Sequence, residues 1–526
     1  MGPDHQAKTP EEVKAASLRR TCTVADMGEY WKRIHHHQQQ HDRTTLLPIR
    51  RVIHVAGTKG KGSTSIMCEA IMRHRYGMNT GLFTSPHLMD VRERIRINGR
   101  PVSRRVFAQA YWEVRKRLED GSKGSQYDAA LPTLPGYFRM LTLLGLFIFG
   151  NHAEPTIDVI ILEVGMGGRY DATNILPMTD YQTAAGVTLL DYDHVRVLGN
   201  RIEQIAWEKG GVFQIVKGEG GQSSKRPFSE GWDPVQHKQD VADGSIKESK
   251  TSQNRIFYAL DSNVESAIQV LQTCAFVEGQ GARLVLVGSK HPDYAIPDHV
   301  LLGLAGKHQR ENAALAVALS RELFRVCGAS FADQGTDAMY TGLAQVSWPA
   351  RCQTVFHDSH TFRLDGAHTI QSLQAGLEWF QGARDTKRPA VLFFNCSHER
   401  DPVELLPLLC EAGFDRVFFC RSDSSRPSMV AKKGAREYME EKNIPVVEEY
   451  LPKNTETWQQ TLMSIWKHID TNHLQVACDL SVSEAIKFVM NEPSEIFVTG
   501  SLYLVGSVLT AIDWSEQEAE GRLILK

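Results

Sequence analysis

The chain of 526 residues is predicted to be α/β, with a first domain around a parallel sheet and a smaller α/β domain after it. Three observations predict this. Short runs rich in Val, Ile and Leu, such as Val52-Ile53-His54-Val55 and Val159-Ile160-Ile161-Leu162, end abruptly in polar or Gly-rich loops. Stretches with helical spacing alternate with those runs. The alternation breaks at Trp348-Pro349-Ala350-Arg351, where proline disfavours helix in the residue before it, and then restarts. The domains are therefore expected at 1–347 and 348–526.

Composition narrows the class. With 42% hydrophobic and 23% charged residues the chain is globular, and a net charge of -3 gives no global field for nucleic acid or an anionic membrane. Nine cysteines, odd in number and without a C-x-x-C pair, argue for reduced thiols. The longest strongly apolar run, 140–149, is too short to span a bilayer. Asp4, Glu11 and Glu12 suit neither a secretory signal nor a transit peptide, so the expected compartment is the cytoplasm, with a mitochondrial pool from another start site left open.

The first strand run leads into Gly57-Thr58-Lys59-Gly60-Lys61-Gly62-Ser63-Thr64 and then a helix, with Ile66, Met67, Ala70 and Ile71 on one face and Gly77 as its stop. Strand, glycine loop and helix make a phosphate cradle. Glycines let backbone N–H groups approach the oxygens, the helix N-terminus adds partial positive charge, and Lys61 neutralises the β/γ oxygens. The loop departs from G-x-x-x-x-G-K-[ST], because Val55 stands at the first glycine and Gly62 at the hydroxyl, which Ser63 or Thr64 would supply. An ordinary Gly-rich turn is the competing reading.

The His35 to His41 tract is read as a polar loop, since adjacent histidines cannot all face one ion. After Thr80 to Leu88, residues Val91, Ile95 and Ile97 alternate with Arg92, Arg94 and Arg96, which predicts a strand with one basic face, closed by an Asn98-Gly99 turn. A solvated edge is the alternative to an anion-binding face. Ser103 caps a helix carrying Phe107, Tyr111, Val114 and Leu118, a Gly/Ser-rich loop spans 121–126, and Pro135-Gly136 opens a further helix toward Phe149.

The strand ending in Glu163 places an acid where ligands gather in parallel sheets, which makes it a Mg²⁺ ligand candidate. A Gly-rich loop, 165–174, follows, and a third strand over 184–190 ends at Asp191-Tyr192-Asp193-His194. Three strand ends thus deliver Lys61, Glu163 and His194 to one sheet edge. A helix after Asn200 carries Glu208 and Lys209. The polar segment 217–255 is expected to be a flexible insertion, and at 306–312 a loop enters the apolar helix from Ala313 to Phe324. Strands are expected again at 361–364, 389–395, 416–420 and 495–500.

At this point the chain resembles the folylpolyglutamate synthase family of the Mur ligase superfamily. Seven stretches carry the resemblance, in family order from about residue 50 to about residue 510: 57–63, 85–88, 91–99, 163–174, 193–209, 364–368 and 500–503. It implies a P-loop ATPase-like first domain, a Rossmann-like second domain, and ATP-dependent joining of L-glutamate to the γ-carboxylate of a reduced folate through an acyl phosphate. Carried over by position, Gly57, Thr58, Lys59, Gly60, Lys61, Gly62 and Ser63 hold the ATP phosphates, Ser85 and Glu163 bind one Mg²⁺, and His194 binds a second. Lys209 matches a lysine that the family carboxylates to a carbamate; a plain surface lysine is the alternative. Asn312 resembles the adenine reader, and Arg351 and Asp365 resemble residues that close over the nucleotide. His368 and Ser501 resemble glutamate-site residues, while Arg92 and Arg94 would attract the folate's acidic tail. The resemblance also implies a monomer with its site in an interdomain cleft, and leaves a monovalent cation open. Thr369, Gly210-Gly211 and the Thr-Lys-Gly-Lys-Gly form of the loop depart from bacterial relatives toward the eukaryotic branch. Dihydrofolate synthase and a non-catalytic nucleotide- or folate-binding protein are the rival readings.

Overall fold

The structure is a computed structural model that describes residues 23–35, 47–123, 131–178, 180–215, 255–327, 331–398, 400–422, 431–453, 456–470 and 475–515. His36, His37 and His41 of the histidine tract and the insertion expected at 217–255, apart from Arg255, lie outside them. The chain divides into one unit of Met1–His87, Val91–Gly303 and Lys307–Val346, and another of Leu88–Asp90, Leu304–Gly306 and Ser347–Lys526.

The first unit holds eight strands: β1 (Arg51–Ala56), β2 (Thr80–Phe83), β3 (Ile95–Ile97), β4 (Arg100–Pro101), β5 (Val159–Glu163), β6 (Gln182–Val187), β7 (Ile256–Leu260) and β8 (Arg283–Val287). They form one sheet in the order β4-β3-β2-β5-β1-β6-β7-β8. From β2 to β8 every neighbouring pair is parallel, and only the β2–β3 and β3–β4 pairs are antiparallel. Every residue of β5, and all of β1 but Arg51, is buried, as a sheet covered on both faces requires. Val55 pairs with Glu163 on one side and Gly186 on the other, so β5, β1 and β6 end level with each other.

Two expected elements differ. The stretch 91–97 is not one strand: Val91–Arg94 winds into a 3₁₀ turn, and only Ile95–Ile97 extends. Its arginines do not form a solvated face, because Arg94 and Arg96 are buried and Arg96 donates to the Glu93 and Gly99 carbonyls. The third strand stops at Val187 rather than Leu190. Beyond it, Leu189 turns onto the glycine loop, its carbonyl accepting from the Thr58 and Lys59 N–H groups. Two helices are longer than expected, Arg104–Gly121 at its end and His308–Cys327 at its start. Ser103 does cap the former, its Oγ accepting from Val106 N at 3.2 Å.

The second unit carries β9 (Gln353–His357), β10 (His360–Leu364), β11 (Ala390–Phe394), β12 (Arg416–Arg421), β13 (Gln475–Ser481) and β14 (Glu495–Thr499). Their order is β13-β12-β11-β14-β10-β9, parallel except for the edge pair β10–β9. Each face has its own apolar cluster, one around Phe394, Phe419 and Trp466, the other around Phe362, Phe393 and Val498. None of the eight cysteines among the described residues is in a disulfide, and no described helix is long and apolar enough to cross a membrane.

Candidate nucleotide and metal site

The glycine loop is fixed by close approaches. Gly57 and Gly60 have φ of 147° and 88°. A Cβ on Gly57 would strike the Thr188 hydroxyl, and one on Gly60 the Asn312 side chain, so both positions require glycine for conformation and for space. The helix Lys61–Arg75 starts directly after Gly60 with no side chain capping it, which leaves its first N–H groups available to an anion. The two lysines divide: Lys59 Nζ pairs with Asp191 at 2.6 Å, whereas Lys61 Nζ donates to the Thr58 carbonyl within the loop at 3.2 Å. Lys59 is thus tied to a carboxylate and Lys61 to the loop's own backbone. Of the two candidate hydroxyls, Thr64 Oγ1 is buried and has no hydrogen-bond partner in the protein.

The acid lies next door. Glu163, at the end of β5, is buried, and its Oε2 accepts from Ser85 N at 3.0 Å. One carboxylate with a neighbouring hydroxyl suits Mg²⁺, which keeps several waters and takes phosphate oxygens rather than a full protein cage. His194, in the left-handed region at φ 51°, is half exposed, with Nε2 3.7 Å from Asp193.

Lys209 is the most confined member. It is buried in the last turn of the helix Ile202–Gly210, and its Nζ donates to the Gly57 carbonyl at 2.6 Å. Burial, and then the charge of Lys61, hold its amine well below the usual lysine range. Nearby, buried Asp171 accepts from Met166 N, Thr173 N and the Thr173 hydroxyl, which fixes the Gly-rich loop after β5, and burial raises its carboxyl above the usual range. Thus Lys61, Glu163 and Lys209 are brought to one edge of three adjacent strands, with the more exposed His194 following β6. Asn312 joins them through its contact with Gly60.

The arginines are more engaged than the alternation implied. Arg92 donates to the Val102 carbonyl at 3.0 Å, and Arg94 donates to His87 at 2.9 Å with its guanidinium 5.7 Å from the Tyr137 ring.

In the second unit, Asp365 follows β10 and accepts from Ala367 N at 2.9 Å and Cys352 N at 2.8 Å. The neighbours Ala350 and Cys352 sit at φ 61° and 45°, backbone strain that brackets Arg351. His368 turns Nδ1 to the Gly366 carbonyl at 2.9 Å, which makes Nδ1 the donor and, in the neutral ring, leaves the lone pair on Nε2. Ser501 caps the helix Leu502–Ala511, with Oγ accepting from Tyr503 N.

Sequence reasoning missed several residues. Asn395 Oδ1 and Thr499 Oγ1 are buried without protein partners at the ends of β11 and β14. Arg169 was noticed only as part of a Gly-rich loop. Its place as the one cation of that loop, directly after Gly167-Gly168, was the available signal.

No protein-family model matches the chain. It is 30% identical over 520 residues to a folylpolyglutamate synthase of Saccharomyces cerevisiae (strain FostersO), covering 94% of this chain and 82% of that protein. Two solved structures share the fold. The folylpolyglutamate synthase of Mycobacterium tuberculosis complexed with ADP and AMPPCP is 22% identical, with a TM-score of 0.62 over 95% of this chain and 96% of the other. That of Thermotoga maritima is 20% identical, with a TM-score of 0.62 over 95% and 97%.

Proposed function

The chain belongs to the folylpolyglutamate synthase family, and from that premise we propose how its residues carry out ATP-dependent addition of L-glutamate to folates. The single observation that carries the proposal is the meeting of Lys61, Glu163 and Lys209 at the carboxyl edge of β5, β1 and β6.

A carboxylate is a poor electrophile, so the folate γ-carboxylate first takes the γ-phosphoryl group of ATP as an acyl phosphate and ADP leaves. The neutral glutamate amine then attacks the acyl carbon, a tetrahedral intermediate forms, phosphate leaves with the C–O bond electrons, and the surplus amine proton passes to solvent. Positioning and charge neutralisation dominate such chemistry. The backbone from Gly57 to Ser63 and Lys61 hold the phosphates, while Lys59, tied to Asp191, keeps the loop shaped. Asn312 lies against the loop beside the nucleotide, and Arg351 and Asp365 are assigned to nucleotide binding as well. Ser85 and Glu163 would hold one Mg²⁺ and His194 a second, and ions bound there would neutralise charge on the transferring group.

Lys209 acts as a carbamate. A depressed amine is the form that reacts with CO₂, and the carbamate keeps one N–H, enough to preserve the bond to the Gly57 carbonyl. His368 and Ser501 receive the incoming glutamate, and Arg92 and Arg94 attract the folate's acidic tail. The protein works as a monomer in the cytoplasm.

The test is incubation with tetrahydrofolate, ATP, Mg²⁺ and glutamate, followed by mass analysis of the folate. A ladder rising by successive glutamyl units is expected. A single addition to dihydropteroate with no ladder would move the protein to dihydrofolate synthase. Neither product from folded protein would leave only a binding role.

A further inference from the structure

Arg169 is 2% exposed and lies 38 residues from Trp207, yet its backbone N–H and its Nη2 are both bound to the end of the helix Ile202–Gly210. Its backbone N–H donates to the Glu208 carbonyl at 2.8 Å, and Nη2 donates to the Trp207 carbonyl at 3.2 Å. The guanidinium carbon sits 3.8 Å from the centre of the Trp207 ring, and Nη2 pairs with Glu278 Oε1 at 2.6 Å. The last carbonyls of a helix have no partner within it and carry its negative pole. Arg169 thus meets two of them from outside the helix and places a cation at that pole.

The surrounding backbone leaves this turn little freedom. A Cβ on Gly168 would lie 2.8 Å from the Lys209 carbonyl oxygen, and one on Gly211 would run into Arg169 itself. Asn174 Nδ2 donates to the carbonyls of both Arg169 and Gly211, which ties the loop after β5 to the helix end. The residue inside this clamp is Lys209, whose Nζ reaches the Gly57 carbonyl of the phosphate loop.

We propose that Arg169 is a positioning residue that caps the Lys209 helix from outside and holds Lys209 against the phosphate loop. The proposal rests on the role given to Lys209 above. Arg169 touches no substrate; it acts through Lys209.

The test uses the full-length protein with Arg169→Met combined with Glu278→Gln, so that no buried carboxylate is left without its cation. Two quantities are read: steady-state kinetics, and modification of Lys209 by formaldehyde and cyanoborohydride, located by peptide mass. Expected are a fall in kcat of about tenfold or more, as for loss of an outer-shell support, KM for ATP and glutamate within about threefold, and Lys209 changing from protected to modified. Arg169→Lys, which keeps the charge opposite Glu278, is expected to recover part of both. If the double variant does not fold, Arg169→Lys decides on the same readouts. A folded variant with wild-type kcat and protected Lys209 overturns the proposal, as does a loss of kcat with Lys209 still protected. Lys209 modified while kcat is unchanged supports the clamp and sinks the catalytic reading of Lys209 instead.

Discussion

Gly60 combines two constraints that are normally separate: a left-handed backbone and a neighbour, Asn312, that occupies the space of a side chain. Gly60→Ala therefore costs about 1–3 kcal/mol from the backbone alone, and it displaces Asn312 as well. The expected result is a lower melting temperature and a smaller stabilisation by ADP, both visible in a thermal-shift titration; unchanged ADP stabilisation would place the nucleotide elsewhere. Lys209 makes a prediction in pH. Its amine titrates lower in the fold than in the unfolded chain, where a lysine titrates at roughly 10.4, so between those values the unfolded state binds more protons and stability rises with pH. Lys209→Met removes that slope. Wild type should gain on the variant as pH rises from 7 toward 10 in urea unfolding, and a constant difference would refute the depressed amine.

Helix ends carry the next scale of argument. Gly210, part of a departure from bacterial relatives, packs against the helix Glu265–Val277. A Cβ there would lie 2.9 Å from Cys274 Sγ and 3.3 Å from Leu271. Gly210→Ala should destabilise by about 1–3 kcal/mol through overpacking. Adding Cys274→Ala should restore part of that loss, so the double variant is more stable than the summed singles; strict additivity in denaturant unfolding would contradict the contact. Elements were legible where periodicity and punctuation agreed. The change from β-branched run to glycine loop to 3.6-residue spacing marked β1 and its helix. The stretch 91–97 was misread because alternation does not distinguish an arginine in water from one whose donors are spent on nearby carbonyls, as Arg96 is. The start of His308–Cys327 was missed because its polar first turn has no apolar period to detect.

At the scale of the molecule, each unit has its own sheet and apolar clusters, so unfolding is not expected to be a single two-state transition. Calorimetry should resolve two components. A non-hydrolysable ATP analogue at a hundredfold excess over Kd should raise the component containing the glycine loop by about 2.7 kcal/mol and the other by less. Equal shifts would count against assigning the phosphates to the first unit. The delivery of the glycine loop, Glu163 and the stretch leading to His194 from three adjacent strand ends was legible because parallel strands end at one edge. The clamp on Lys209 was not, since a contact between Arg169 and Trp207 leaves no trace in local pattern. The bond between Lys209 and Gly57 spans 152 residues of chain. During synthesis the loop therefore emerges long before the lysine that closes on it. At about 5–20 residues per second that interval is on the order of ten seconds. A ribosome-bound chain in this interval carries the phosphate loop without the lysine that reaches its Gly57 carbonyl. Chains stalled short of Lys209 should show no folate-dependent turnover, and release to full length should start it.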